Sequence, residues 1–177
     1  MFRRIFLTAL TLSALLLAVS VSAQDQPAER PKPKKEKIAW LDYAQGLEAI
    51  KADTNKHLLV DFTASWCGWC KRMEADTFSD SEIIAYINEN FIPVKVWGDS
   101  DKMLDIDGYN ISEKDLAAKE FKVRGYPAFW FISPEGERVG PLPGYHKPDQ
   151  FIKALTYVAT EEYRKEMEPK QGEEKEK

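Results

Sequence analysis

The stretch ASWCGWCKRM, residues 64–73, holds the only two cysteines of the chain, Cys67 and Cys70. Thiols at this spacing can form a structural staple, half of a zinc site, a covalent haem anchor, or a pair that exchanges with other disulfides. A staple enclosing two residues removes little freedom from the unfolded chain, because its stabilisation grows with loop length. Covalent haem attachment needs C-x-x-C-H, and Lys71 fills the fifth place. Structural zinc needs four ligands. A second C-x-x-C is absent, and the only histidines, His57 and His146, do not form a paired zinc motif. Exchange needs a thiolate near neutral pH and a second thiol close enough to resolve a mixed disulfide.

That last use depends on what precedes and follows the cysteines. HLLVDFTA (57–64) is a short apolar, β-rich run suited to a central strand and interrupted by one acid, Asp61. Helical residues follow Cys67 to about Ala75, which puts Cys67 at a helix N-terminus. Unpaired amides and the macrodipole stabilise a thiolate there. Cys70, one turn in, is expected to be the more shielded. Cys67 is thus the attacking sulfur and Cys70 the resolver.

Further elements surround this strand and helix. Leu41, Ala44, Leu47 and Ile50 predict an amphipathic helix over 42–54. Ser79 or Asp80 can cap a helix that carries Ile83, Ile84 and Ile87 on one face. FIPVKVWG (91–98) reads as a second strand. SEKDLAAKEF (112–121) reads as a helix with Ser112 capping the Asp115 amide. PAFWFIS (127–133) is a third strand, and the turn PEGE (134–137) leads into a short fourth, RVG. Pro148 opens a last helix through Phe151, Leu155 and Val158. Helices between the first strands argue for parallel pairing, whereas the last two strands form a hairpin. The expected fold class is α/β, a single domain with a mixed central sheet and helices on both faces.

The ends differ in composition from this domain. MFRR, then 17 uncharged, mostly apolar residues, then small residues to Ala23, has the layout of a secretory signal over 1–23. An uncleaved membrane anchor is the alternative. No cysteine stands at the cleavage point to take a lipid. Residues 24–37 are polar and proline-punctuated, a flexible charged linker; 165–177 are a charged tail; the domain spans 38–164. Loss of Arg3 and Arg4 with the signal leaves 23 basic and 29 acidic residues, a net charge near −6. That balance disfavours nucleic acid, which calls for clustered Lys and Arg. The expected location is periplasmic or secreted.

LLVDFTASWCGWCKRM resembles the active-site segment of the thioredoxin superfamily, and RGYPAFWFISPEGERV resembles its proline loop and following hairpin. The resemblance covers about residues 40–160. It implies a thioredoxin fold and a cis-proline at Pro127, with Tyr126 offering backbone groups to an extended substrate. It further implies that Asp61 is the buried acid that takes a proton from Cys70, with Lys95 near it. A carboxyl in such a strand should have a raised pKa through desolvation. Trp66 matches the aromatic residue beside the motif. Gly68 and Trp69 fill the variable positions, where proline or histidine is usual at the second. Without that imidazole the thiolate loses a partner, so an intermediate-to-reducing couple is expected. The break TFSD after the active-site helix resembles the C-terminal domain of the periplasmic thiol-disulfide interchange reductase and related secreted thioredoxin-like proteins.

The implied activity is thiol-disulfide oxidoreduction of the protein-disulfide reductase type, with the Cys67–Cys70 pair as redox centre and no dissociable cofactor. The implied partners are protein disulfides and an upstream thiol reductant, a membrane-embedded one among the candidates. A disulfide-donating oxidase or isomerase and a non-catalytic partner-binding module are the alternatives. The longer connection GDSDKMLDIDGYNISEK (98–114) contains DIDG but fails as a calcium loop. With Gly108 at position 6, Met103 falls at position 1 and Lys114 at position 12, where oxygen donors are required. An exposed acidic loop near the active face, helping to select partners, is expected instead.

Overall fold

A computed structural model describes residues 36–167, so the expected signal segment, nearly all of the linker and most of the charged tail lie outside the described residues. The centre is strand β1 (His57–Thr63), all seven residues of which are buried. It pairs in parallel with β2 (Phe91–Trp97), which places Asp61 beside Lys95 and Thr63 beside Trp97. On its other side it pairs antiparallel with β5 (Ala128–Ile132), which forms a hairpin with β6 (Arg138–Pro143). The order β2-β1-β5-β6 makes a mixed four-stranded sheet. Outer strand β6 carries Pro141 and Pro143, and the next residue, Gly144, donates its amide to the Pro127 carbonyl (2.8 Å). By alternation, the two proline nitrogens face away from β5.

Side-chain alternation divides the core in two. Leu58, Val60 and Phe62 pack on one face with helix α1 (Tyr43–Ala52), whereas Leu59 packs on the other with Phe129 and Phe131. Helices α3 (Ser81–Asn90) and α5 (Pro148–Ala159) cover that second face through Ile83, Ile87, Phe151 and Leu155. Each helix starts where a side chain satisfies free amides. Asp42 and Gln45 form a reciprocal capping box on α1, and Asp80, rather than Ser79, accepts from the Glu82 and Ile83 amides of α3. Gly46 lets α1 lie against β2, because a Cβ there would collide with the Val94 side chain. Leu41, expected on the helix face, precedes it and bridges the edge of β2, its amide donating to Pro93 and its carbonyl accepting from Lys95 (2.9 Å each).

Helix α2 (Gly68–Asp76) follows Cys67 and ends before the TFSD segment, so the chain breaks between α2 and α3. The segment 98–114 is not simply a loop. It contains a hairpin of β3 (Met103–Ile106) and β4 (Tyr109–Ser112), with Leu104 and Ile111 buried against the core of α1. Its turn uses Asp107 and Gly108, both at positive φ (51° and 87°), as two-residue hairpins favour. Asp107 pairs with Lys51 (3.2 Å) near the end of α1 that leads into β1, so the hairpin tip points away from the cysteines. The expected helix over 112–121 is also altered. Ser112 does cap Asp115 (3.1 Å), but the α-helical part, α4, is only Glu113–Asp115. A wider π-turn over Leu116–Glu120 follows and delivers Leu116, Ala117 and Phe121 into the core. A last helix, α6 (Glu162–Met167), runs past the expected domain end and buries Tyr163, whose hydroxyl bonds buried His57 (2.9 Å).

Candidate active site

Cys67 is the N-cap of α2, with extended backbone angles (φ −74°, ψ 106°), and its Sγ accepts from the Cys70 amide at 3.0 Å. The hydrogen bond is the geometric form of thiolate stabilisation at a helix start: a free amide of the first turn points at the sulfur. Cys67 and Cys70 are joined in a disulfide, with Cα atoms 5.3 Å apart. A turn closes the approach, the Cys67 amide donating to the Ala64 carbonyl (3.1 Å). Both cysteines are buried, at 4% and 5% exposure, so the expected difference in shielding between them is absent in the disulfide form. Ala64 clusters with the pair, and Tyr126 packs against that cluster.

Asp61 points to the sheet face that α2 covers. It is fully enclosed, and its Oδ1 has no hydrogen-bond partner. Its Oδ2 lies 3.5 Å from Lys95 Nζ, which in turn pairs with Glu74 of α2. Burial pushes the Asp61 carboxyl up to about 7; Lys95 opposes the shift and Glu74 adds to it. A carboxyl poised near neutrality can hold or release a proton under working conditions. Lys95 is not a solvated charge: its side chain is 14% exposed and its ammonium lies 4.5 Å from the centre of the Trp40 ring.

The rim is aromatic. The Tyr126–Pro127 peptide is cis. The Tyr126 ring meets Trp66 edge-on (5.8 Å), and its hydroxyl covers Gly98, where a Cβ would collide with it. Among the described residues the Tyr126 amide and carbonyl make no backbone hydrogen bonds. Gly68 faces open space. Trp69 packs on Tyr145 (5.5 Å), and Arg72 lies over both rings. Arg72 and the Tyr145 hydroxyl converge on Asp76 Oδ2 (3.1 and 2.9 Å). The structure thus gathers Cys67, Cys70, Trp66, Gly68, Trp69 and Tyr126 at one end of the sheet, with Pro127 adjoining Tyr126 and Asp61 behind α2.

Glu74, Arg72, Asp76, Tyr145 and Asp99 also belong to this region and were not singled out from sequence. Glu74 sits one helical turn after Cys70, a spacing that places it on the same face. Tyr145 and Asp76 are 69 positions apart, and no local pattern joins them. Among the described residues, no group of three or more His, Cys, Asp or Glu could hold a metal ion, and no helix is long and apolar enough to cross a membrane.

A thioredoxin-like domain model matches residues 43–159. The chain is 33% identical over 117 residues to the thiol:disulfide interchange protein DsbD of Campylobacter jejuni, covering 64% of this chain and 19% of that protein. It is 30% identical over 105 residues to DsbD of Neisseria meningitidis, covering 59% and 16%. The chain therefore spans less than a fifth of the length of these relatives. It is also 34% identical over 100 residues to a thioredoxin of Pongo abelii, covering 56% of this chain and 78% of that one. In structure it is similar to a thioredoxin from Thermus thermophilus, with a TM-score of 0.58 and 24% identity over 72% of this chain and 89% of that one. The last likeness concerns the fold.

Proposed function

The chain belongs to the thioredoxin-like family, and from that membership and the site geometry we propose that it is a protein-disulfide reductase acting outside the cytoplasm. The carrying observation is the pairing of a helix-capping disulfide with an enclosed acid. Cys67 accepts a first-turn amide, and Asp61, behind the same helix, carries a carboxyl raised to about 7.

In the reduced protein the Cys67 thiolate attacks one sulfur of a substrate disulfide. The Cys67–substrate S–S bond forms, the substrate S–S bond breaks, and the departing thiolate takes a proton from solvent. The Asp61 carboxylate then accepts the Cys70 proton. Cys70 attacks Cys67 Sγ, releases the second substrate thiol and restores the chain's own disulfide. Two electrons have passed to the substrate, and an upstream dithiol must return them. An extended substrate segment lies along Tyr126, whose backbone groups can pair with it. Trp66, Trp69 and Gly68 line its approach. The reaction needs no dissociable cofactor.

Two observations favour reduction over disulfide donation. Trp69 offers the Cys67 thiolate no imidazole, and the nearby Arg72 guanidinium is committed to Asp76. The thiolate therefore lacks an imidazole partner at position 69 and an uncommitted Arg72, two features that would make the dithiol more oxidising. The DsbD relatives carry the name of thiol:disulfide interchange proteins, which supports the activity class, and the secretory-signal layout read in residues 1–23 supports an extracytoplasmic site of action.

The test is equilibration with glutathione, together with dithiol-driven reduction of a model protein disulfide. A potential nearer −270 mV than −120 mV supports the reductant reading, on the scale set by thioredoxin and DsbA. The opposite position assigns disulfide donation. Full activity in Cys67→Ser would overturn the mechanism, and Cys70→Ser is expected to accumulate the mixed disulfide, read by mass.

A further inference from the structure

The loop that delivers Cys67 is held from outside the motif. The Ser65 amide donates to Asp99 Oδ2 (3.0 Å), and the Ser65 hydroxyl donates to the same oxygen. Asp99 lies just past β2, in a segment fastened on several sides. The Gly98 amide donates to the Thr63 carbonyl (2.8 Å), and Gly98 lies under the Tyr126 hydroxyl. The carbonyls of Ser100 and Lys102 accept from the Lys114 and Glu113 amides (3.0 Å each), so the residues on either side of the β3–β4 hairpin are tied together. The two Ser65 donors also hold the Asp99 carboxyl below its ordinary range, which keeps it ionised.

An anion is thereby fixed against Ser65, two residues before the nucleophile, and near Tyr126, which packs against the cluster of Ala64 and the two cysteines. We propose that Asp99 is a positioning residue for the reactive pair: it fixes the loop ahead of Cys67, and its charge opposes the Cys67 thiolate, holding the couple toward the reducing side. The proposal rests on the oxidoreductase reading. Lys71 and Arg124 also flank the site in sequence, and neither is in an ion pair among the described residues; the remaining charges form separate groups. Asp61, Lys95 and Glu74 form one group behind α2, and Arg72 is paired with Asp76 on the opposite flank. Asp99 is exposed, so water and salt weaken its effect to a few-fold.

The test uses the full chain with its cysteines intact. Asp99→Asn retains oxygen acceptors for Ser65 and removes the charge; Asp99→Ser removes the charge with a shorter side chain and serves if the first variant folds poorly. Asp101→Asn removes a neighbouring exposed charge that makes no bond to Ser65. Two quantities are read: the equilibrium constant with glutathione, and the pH profile of Cys67 alkylation. Asp99→Asn is expected to shift the equilibrium toward the reduced protein by about three- to fivefold, which is about 15–20 mV at 30 mV per tenfold. Its alkylation profile is expected to move to lower pH, and Asp101→Asn to change both by less than half as much. Unchanged values in both Asp99 variants, or an equal shift in Asp101→Asn, would overturn the proposal. If the wild-type protein does not equilibrate with glutathione, the oxidoreductase reading itself fails; if it does and the variants match it, only the role of Asp99 fails.

Discussion

Asp61 combines two consequences of one placement. Burial that makes the carboxyl useful as a proton acceptor near neutrality also makes its ionised form a burden on the fold. Its folded pKa lies above the unfolded value, so between about pH 4 and 7 the folded chain holds a proton that the unfolded chain releases. Stability falls across that window as pH rises. Asp61→Asn is accordingly expected to unfold at higher urea at pH 8, by roughly 2–4 kcal/mol, with the gain vanishing near pH 4. The same variant should resolve mixed disulfides about tenfold to hundredfold more slowly, measured by single-turnover quench. Equal stability gains at both pH values would show that the carboxyl is not held in its protonated form by the fold. At this scale the sequence was most legible: the cysteines, Asp61 and Pro127 stand in local patterns with chemical meaning. Glu74, Asp99 and Tyr145 escaped notice because each acts through a partner that only the folded chain brings near.

The elements that position the site show why some were readable and others were not. β1 and β2 announce themselves as apolar runs, and α3 and α5 as helical periodicity between a cap and a break. The β3–β4 hairpin does not. Its buried residues are chiefly Leu104 and Ile111, set among acids and polar residues, so alternation is too sparse to register. The stretch 112–121 has helical composition, and only the demand for Phe121 in the core reveals the π-turn. Gly46 is a third case, an unremarkable residue until α1 is laid on β2. Gly46→Val is expected to push α1 from Val94 and cost about 2–3 kcal/mol in urea unfolding. Gly68→Val, facing open space, should cost less than half as much. Equal losses would mean that helix propensity, rather than the close approach, governs Gly46.

For the molecule as a whole, the response to acid is shared between the two ends of β1. His57, at the far end from the cysteines, is buried against Tyr163, and burial lowers its pKa. Below about pH 6.5 the unfolded chain takes up a proton that the folded chain resists, so this group makes stability fall as pH falls. Asp61 slopes the other way between about pH 4 and 7. Their opposition predicts a shallow stability profile around pH 5–6.5, measured by urea unfolding. Asp61→Asn should leave stability falling toward acid over this range, whereas His57→Asn should leave it rising toward acid. A profile unchanged by either substitution would remove both groups from the balance. Outer strand β6 has a different consequence. Pro141 and Pro143 occupy alternate positions whose nitrogens face outward, so the sheet ends in a border without donors at those points. Those positions offer no amide to a further strand, so a second copy has no donors to pair with at Pro141 and Pro143. The backbone groups of Tyr126, which make no backbone hydrogen bonds among the described residues, are by contrast open to pairing, so this border and the site differ in what main chain they can accept.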